Sequence, residues 1–277
     1  MPKYPRKEKN FNSWQRSQRG LTIWRVILAL DKACTPIVIS SSTVFSGCNT
    51  FHNYRSQFMA DDTPRGAILQ RDRKTYAIVP RTPVGLVSPE VLEAISSVVR
   101  KYKIPISKIT SGQRLALIGL QREEVDQVWR DLQMEIGPAV ELCVHYVQAC
   151  PGTEVCKFGV RDSLGLGLEL EKLYVGMDLP AKVKIGVSGC PFCCAESYVR
   201  DIGLIGKKNG WIVTFGGNSG GRPRIGDVIA ENVSDIEAVA LVQRCLEYYR
   251  DNVGKKLRTA RFVEKTGIEA IKQAVLE

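Results

Sequence analysis

The stretch CVHYVQACPGTEVCKFG, residues 143–159, contains three cysteines, of which Cys150 and Cys156 are separated by five residues. Further along the chain, GVSGCPFCCAE at residues 186–196 contains a second pair separated by three residues. Free cysteines are usually buried and inert, but four of them in two loops rich in glycine and proline are hard to explain by packing. The candidates for a shared chemical role are Cys150, Cys156, Cys190 and Cys194, with Cys193 beside the last of them.

A disulfide framework is one explanation of these cysteines, and three features argue against it. At 277 residues the chain is long enough to bury a sizeable core without cross-links. Its nine cysteines are an odd number, no secretory signal peptide opens the sequence, and the adjacent Cys193 and Cys194 suit a bridged framework poorly. We therefore expect a reducing, cytoplasmic protein whose thiolates serve metal or redox chemistry.

A zinc site is a second explanation, and the cysteine spacing fits it poorly. Zinc sites usually pair cysteines as C-x2-C or C-x4-C, and the nearby His145 sits at no usual zinc spacing. A four-thiolate iron-sulfur cluster tolerates wider spacing, and glycines let backbone amides approach its sulfides. The fourth ligand stays open, because Cys193 and Cys194 lie close together if a short helix follows Pro191. The remaining cysteines are expected to be buried and inert: Cys34, Cys48, Cys143 and Cys245.

The distribution of charge argues against a nucleic-acid partner. The formal net charge is +10, but residues 1–58 alone contribute nine Lys or Arg and two Asp or Glu. The rest of the chain is only mildly basic. It shows no zinc-finger spacing, no aromatic RNA-binding signature and no basic run. We therefore predict no binding to nucleic acid.

Residues 1–58 differ in composition from the rest of the chain, with a polar, basic start followed by an apolar segment. Arg25, Asp31 and Lys32 interrupt that segment before the roughly 20 apolar residues that a membrane span needs. We predict no membrane segment. Met59 begins an ordinary polar start that leads into a strand, so our hypothesis is that residues 1–58 form an atypical extension, disordered or outside the functional protein.

The hydrophobic pattern after Met59 predicts an α+β chain in two units. Ser88 followed by proline marks a helix start, and Ser234 with Glu237 forms a capping box at a later one. For the first unit we predict strands at 75–80, 106–110 and 114–120, with helices from 88 onward and at 122–134. For the second unit we predict cysteine loops, a helix near 164–173, a strand at 182–187, further strands through 211–215, and two final helices.

The segments CPGTEVCKFG, SGCPFCCAE, ITSGQRLALIG and GWIVTFGGNSGG together resemble the nitrite and sulfite reductase family, whose members carry siroheme and a 4Fe-4S cluster. The sequence looks most like the siroheme part of the NAD(P)H-dependent assimilatory nitrite reductase large subunit, in a single-copy form. The resemblance implies a ferredoxin-like half-domain at 67–137, followed by an α/β siroheme and 4Fe-4S domain at 138–277. It also implies cluster ligands, with the last one bridging to the siroheme iron: Cys150, Cys156, Cys190 and Cys194.

Basic residues form a second group of candidates. In AKVKIGVSG the alternation of a strand places Lys182 and Lys184 on one face and the apolar residues on the other. Siroheme carries eight carboxylates, and sulfite and nitrite are anions, so a site for them needs several cations. The alternative is a half-exposed strand with solvated lysines. The family resemblance favours the first interpretation.

Four further positions follow from the resemblance alone. It implies that Arg81 binds the substrate anion and that Arg114 lies near the siroheme. His145 stands where the family usually has an anion-binding arginine; it is either a weaker cation and proton donor or a satisfied strand histidine. Val84 stands where the family tends to have glycine, which leaves open how the loop after Arg81 approaches the cofactor.

The resemblance implies a six-electron reduction of sulfite to sulfide or of nitrite to ammonia. Glycine-rich stretches lack the context of a nucleotide site, and no flavin or nicotinamide domain precedes Met59, so we expect electrons from a separate ferredoxin or flavoprotein. Relatives with two copies of this unit place one active site between them, so we expect a homodimer or a heteromer. The alternative function is a non-catalytic electron-transfer or binding module that holds the iron-sulfur cluster, with or without siroheme.

Overall fold

The computed structural model of the chain describes residues 63–254 and 256–277. The predicted extension at 1–58 lies outside the described residues, as do Cys34 and Cys48. Within the described part, no helix is long and apolar enough to cross a membrane.

The first unit is a four-stranded antiparallel sheet covered by two helices. The strand order is β1-β2-β4-β3, and every neighbouring pair is antiparallel. Its helices pack against each other and against the sheet around one apolar cluster that includes Ile78, Leu117 and Val128. The elements are β1 (Ala67–Leu69), β2 (Tyr76–Ile78), α1 (Pro89–Lys101), β3 (Ile106–Ile109), β4 (Leu115–Leu120) and α2 (Val125–Leu132).

The second unit is a five-stranded mixed sheet in the order β5-β6-β7-β8-β9. The first three strands are parallel to one another, whereas β8 and β9 are antiparallel to their neighbours. The strands are β5 (Val144–Ala149), β6 (Val183–Ser188), β7 (Ile202–Lys207), β8 (Gly210–Phe215) and β9 (Asp227–Val233). The helices are α3 (Ser163–Tyr174), α4 (Asp235–Asn252), α5 (Thr259–Thr266) and α6 (Ile268–Leu276).

Local sequence signals explain where the helices begin. Ser88 caps α1 by accepting a hydrogen bond from the Val91 amide, and proline occupies the first turn. Asp162 caps α3 through the Gly165 amide. Ser234 and Glu237 form the predicted capping box at the start of α4, with each side chain accepting from the other's backbone amide. These caps satisfy amides that have no partner within the helix.

The prediction of an α+β fold with a ferredoxin-like first unit is confirmed, and three local predictions were incomplete. The region before Cys150, which we described as a cysteine loop, contains strand β5. Strands β7 and β9 were not specified by the pattern. Three helices rather than two follow the last strand, because Gly267, with φ at 85°, separates α5 from α6.

Candidate functional site

The two cysteine loops leave the sheet side by side. Strands β5 and β6 are parallel neighbours, with Ala149 opposite Val187. The Cys150 amide continues this pairing by donating to the Val187 carbonyl over 3.1 Å. The carboxyl ends of adjacent parallel strands meet at one edge of a sheet, where ligand sites of α/β proteins commonly lie. The fold therefore brings the predicted C-x5-C and C-x3-C pairs to one place.

A hydrogen bond joins the two cysteine loops, because the Gly189 amide donates to Cys150 Sγ over 3.1 Å. Desolvation raises the pKa of the exposed Cys194 thiol, and the charges of four neighbouring cysteine thiols act in the same direction. Cys150 and Cys190 are buried, Cys156 and Cys193 are half-buried, and Cys194 is exposed. Cys193 adopts a left-handed backbone conformation, with φ at 56°, immediately before Cys194. The thiols that raise the Cys194 pKa are those of Cys150, Cys190, Cys156 and Cys193.

The cysteine arrangement differs from that of a single-ion site. Among residues 63–254 and 256–277, no group of three His, Cys, Asp or Glu side chains is placed to hold one metal ion. A zinc ion binds each sulfur at about 2.3 Å and so draws its ligands tightly together. An iron-sulfur cluster places several iron atoms between its thiolates and accepts a wider set. The thiols of the two neighbouring loops are donors of the kind that ligates such a cluster.

Glycines allow the loops to pack tightly around Cys150. Gly189 donates its amide hydrogen to Cys150 Sγ over 3.1 Å. Gly152 has φ at 58°, and a Cβ there would lie 2.4 Å from Ser163 Oγ. A Cβ at Gly159 would lie 2.6 Å from the Gly152 carbonyl carbon. These positions therefore require glycine for backbone conformation or for space.

The outer edge of β5 is closed by side chains from elsewhere in the chain. Gln113, in the turn between β3 and β4, donates to the Ala149 carbonyl over 3.0 Å and accepts from the Ala149 amide over 3.1 Å. Glu171 in α3 accepts from the Val147 amide over 3.1 Å. These bonds satisfy backbone groups that the sheet itself leaves unpaired. They also fix the strand that leads directly into Cys150.

A cluster of cations surrounds Tyr146 on the face of the sheet opposite the helices. The guanidinium carbon of Arg114 lies 5.1 Å from the Tyr146 ring centroid, and Lys184 Nζ lies 5.8 Å from it. Arg200 donates to the Tyr146 hydroxyl over 3.4 Å and to Gln148 Oε1 over 2.6 Å. The predicted alternation of β6 is confirmed, because its apolar residues are fully buried while Lys184 is half-buried on the other face.

Buried Asp201 anchors one side of this cluster. It accepts hydrogen bonds from the Arg258 guanidinium at 2.9 Å, from the Lys184 amide at 3.0 Å and from the Thr259 hydroxyl. Burial raises the pKa of Asp201, and these partners oppose the rise. Burial lowers the pKa of Lys184, and the nearby charges of Arg258 and Arg200 act in the same direction. Lys184 is therefore a better proton donor than an ordinary lysine.

The structure places Arg81 between two carboxylates. Its Nε lies 3.2 Å from Glu171 Oε1, and its Nη1 pairs with Glu135. Burial alone would lower the pKa of Arg81, but the hydrogen bonds with these carboxylates raise it overall, so the guanidinium stays charged. The pair with Glu171 ties the first unit to α3.

His145 and Lys182 both bind backbone carbonyls of the segment that joins the two units. His145 Nε2 lies 2.6 Å from the Glu141 carbonyl, and the side chain is only 4% exposed. Burial lowers the pKa of His145 to about 4, so the imidazole is neutral near pH 7. This geometry matches the second of the two alternatives, a satisfied strand histidine. Lys182 Nζ donates to the Ala139 carbonyl over 2.9 Å.

Val84 adopts an unusual backbone conformation for a β-branched residue. Its φ of 46° and ψ of 24° lie in the left-handed region, which costs a branched side chain free energy and costs glycine little. The side chain is 4% exposed and packs in the main core, close to Gly167 of α3. Packing therefore holds the turn where the family tends to have glycine.

Two of the four cysteines expected to be inert lie within the described residues, and both behave as expected. Cys143 and Cys245 are buried, and burial raises the pKa of Cys143 to about 11 and that of Cys245 to about 12. The sequence reasoning missed Tyr146, Arg200 and Arg258. Tyr146 lies opposite Lys184 in the register of β5 and β6, but all residues of β5 are buried, so no alternation in the sequence indicated it. The two arginines reach the site from distant segments and gave no local signal.

Comparisons with known proteins agree with this architecture. Residues 142–277 match the family described as the nitrite and sulphite reductase 4Fe-4S domain. Residues 68–135 match the nitrite/sulfite reductase ferredoxin-like half domain. Two solved structures share the fold at low sequence identity. The Mycobacterium tuberculosis NirA protein has a TM-score of 0.64 and 19% identity, covering 73% of this chain and 40% of that one. Dissimilatory sulfite reductase I has a TM-score of 0.66 and 12% identity, covering 73% and 69%.

Curated relatives match at higher identity. The assimilatory-type sulfite reductase of Nitratidesulfovibrio vulgaris is 66% identical over 215 residues, which are 78% of this chain and 99% of that protein. The NAD(P)H nitrite reductase of Bacillus subtilis is 40% identical over 210 residues, which are 76% of this chain but only 26% of that protein. On these matches and this fold, the chain belongs to the nitrite and sulphite reductase family.

Proposed function

We propose that this protein reduces sulfite to sulfide by six electrons, with siroheme and a 4Fe-4S cluster as cofactors. The observation that carries the proposal is the match at 66% identity to nearly the whole length of an assimilatory-type sulfite reductase. Nitrite, reduced to ammonia, is the second candidate substrate, supported by the 40% match to a nitrite reductase of which this chain covers about a quarter.

The described residues fit both cofactors. Two loops bring five cysteine thiols together, and we assign the cluster to Cys150, Cys156, Cys190 and Cys194. Within the described chain, the buried Nε atoms of three arginines beside this face have no hydrogen-bond partner: Arg114, Arg200 and Arg258. Unused guanidinium donors match the carboxylates of siroheme. When bound, the two cofactors supply electron transfer and an iron centre for the reduction of an oxyanion.

The cations have separate tasks in this proposal. Lys184 and Lys182 bind the anionic substrate and stabilise charge that builds up during reduction. Lys184 also delivers protons, because its lowered pKa makes the ammonium a stronger acid. We assign Arg81 to substrate binding on the family resemblance alone, because Glu135 and Glu171 hold its guanidinium and balance its charge. Because its imidazole is neutral, we assign His145 a positioning task on β5.

The proposal includes a separate electron donor, a ferredoxin or a flavoprotein. The NAD(P)H nitrite reductase of Bacillus subtilis is about four times as long as the part that this chain matches, which leaves room in it for further domains. We also propose a homodimer or a heteromer. Relatives with two copies of this unit place one active site between them, so a second chain would supply the copy that this chain lacks.

Absorption spectroscopy and dye-linked assays test the proposal together. The anaerobically purified protein should show siroheme bands that shift when carbon monoxide is added. With a reduced viologen dye, it should oxidise six dye equivalents for each sulfide formed. A cluster without siroheme bands would refute the proposed enzyme and favour the electron-transfer module. If the protein shows siroheme bands and turns over nitrite but not sulfite, nitrite replaces sulfite as the proposed substrate.

A further inference from the structure

The sulfur of Cys150 lies against two polar groups from other segments of the chain. Gly189 donates its amide hydrogen to this sulfur over 3.1 Å, and Ser163 Oγ lies 3.3 Å away from it. Ser163 is fully buried at the first residue of α3. Its hydroxyl also donates to the Cys150 carbonyl over 2.7 Å. One buried hydroxyl therefore lies within reach of both the carbonyl and the sulfur of the same cysteine.

The surroundings of Ser163 hold its hydroxyl in this position. A Cβ at Gly152 would lie 2.4 Å from Ser163 Oγ, and a Cβ at Gly189 would lie 2.9 Å from it. Both neighbouring loops thus close directly over the hydroxyl, and glycine is what permits the approach. Among the described residues, no hydrogen bond joins a side-chain donor to the sulfur of Cys156, Cys190 or Cys194. The environment of Cys150 is therefore different from that of the other three cysteines.

We propose that Ser163 tunes the reduction potential of the cluster by donating a hydrogen bond to the Cys150 thiolate. The inference rests on the proposed function, in which Cys150 is a cluster ligand. A ligating thiolate has no hydrogen to donate, so Ser163 is the donor of this pair in the loaded protein. The hydroxyl proton needs only to turn from the carbonyl toward the sulfur, which then carries negative charge.

The direction of the effect follows from charge. When the cluster takes up one electron from the donor protein, its net charge becomes more negative by one. A hydrogen-bond donor aimed at a ligand sulfur stabilises the reduced cluster more than the oxidised one. The amide of Gly189 acts in the same way on the same sulfur. Removal of the Ser163 hydroxyl is therefore expected to shift the midpoint potential to a more negative value.

A redox titration of the intact holoprotein tests this, with the reduced cluster followed by electron paramagnetic resonance. Ser163→Ala removes the hydroxyl. The matched control is Ser197→Ala, because Ser197 is equally buried beside the other cysteine loop and bonds to Ser188 Oγ at 2.8 Å instead of to a sulfur. We expect a more negative midpoint potential in Ser163→Ala and the wild-type potential in Ser197→Ala. Equal potentials in wild type and Ser163→Ala, at full cluster content, would overturn the proposal.

Two further measurements cover the remaining outcomes. If Ser163→Ala does not assemble a cluster, the same titration is made on Ser163→Cys, whose side chain is close in size and is a weaker hydrogen-bond donor. A midpoint potential more negative than that of the wild type supports the proposal, and the wild-type potential contradicts it. Cys150→Ala tests the underlying ligand assignment separately, because alanine has no atom that can ligate iron. An unchanged iron content in that variant refutes the ligand assignment rather than the tuning alone.

Discussion

The buried imidazole of His145 predicts a specific dependence of stability on pH. Its pKa falls from 6.5 to about 4 in the folded protein, mainly because burial disfavours the charged ring. The unfolded chain therefore takes up the proton first as the pH falls. The stability that depends on neutral His145 is complete above pH 6.5 and is lost as the pH drops from there toward 4. The perturbation that exposes this effect is His145→Gln, which removes the titration and keeps an amide donor for the Glu141 carbonyl.

The magnitude follows from proton linkage between the two pKa values. At pH 5 the free energy of unfolding of the wild-type protein should have fallen by about 2 kcal/mol relative to that of His145→Gln. Below the folded pKa the full difference is about 3 kcal/mol. For a domain of this size, each kcal/mol shifts the melting temperature by about 2–4 °C. The difference in melting temperature between wild type and His145→Gln should therefore change by about 4–8 °C between pH 7.5 and pH 5.

The assay is thermal unfolding of the two holoproteins at a series of pH values between 7.5 and 4.5. The chain has two histidines, so His52→Gln is the matched control for the loss of an imidazole. A difference in melting temperature between wild type and His145→Gln that stays constant across this range would refute the reasoning. It would mean that His145 titrates normally and can carry a positive charge at working pH. The interpretation of His145 as a weak cation and proton donor requires such a charge.

Cys194→Ser should alter the siroheme absorption bands, whereas Cys193→Ser should leave them unchanged; the opposite result would make Cys193 the bridging ligand. Lys184→Arg should lower kcat by about 100-fold or more with little change in KM, because it keeps the charge but loses an acid with a lowered pKa; an unchanged kcat in the dye-linked assay contradicts the proton-delivery role. Gly167→Ala should destabilise the protein by about 1–3 kcal/mol in thermal unfolding, since its Cβ would lie 2.9 Å from Ala149 Cβ and 3.0 Å from Val84 Cγ1. Deletion of residues 1–58 should leave iron and siroheme content intact, because the two family matches cover residues 68–135 and 142–277; loss of folding on deletion would contradict this.

Sequence reasoning succeeded where the signal was local. The alternation of β6 at Lys184 and the helix caps at Ser88 and Ser234 each involve residues a few positions apart. Local patterns of this kind are set by backbone geometry and by the orphan amides of a helix start. The two units and their order followed from them together with the family resemblance.

The partners of the charged residues could not be predicted in this way. Arg81 meets Glu171 across 90 positions, and Arg258 meets Asp201 across 57. Strand β5 was also missed, because all six of its residues are buried, including His145, and it lacks the alternation of a half-exposed strand. The tertiary fold therefore determines which cations meet, while the sequence identifies only the residue types available.

Gln113 and Glu171 together have a consequence for assembly. A free edge strand is a template on which another chain can add a strand and extend the sheet. On β5 that role is blocked, because the amide and carbonyl of Ala149 and the amide of Val147 are already occupied within the same chain. A second copy therefore cannot dock by continuing the sheet at the strand that carries Cys150. Any dimer has to form through another surface, and its formation would leave the hydrogen bonds behind the first cysteine loop undisturbed.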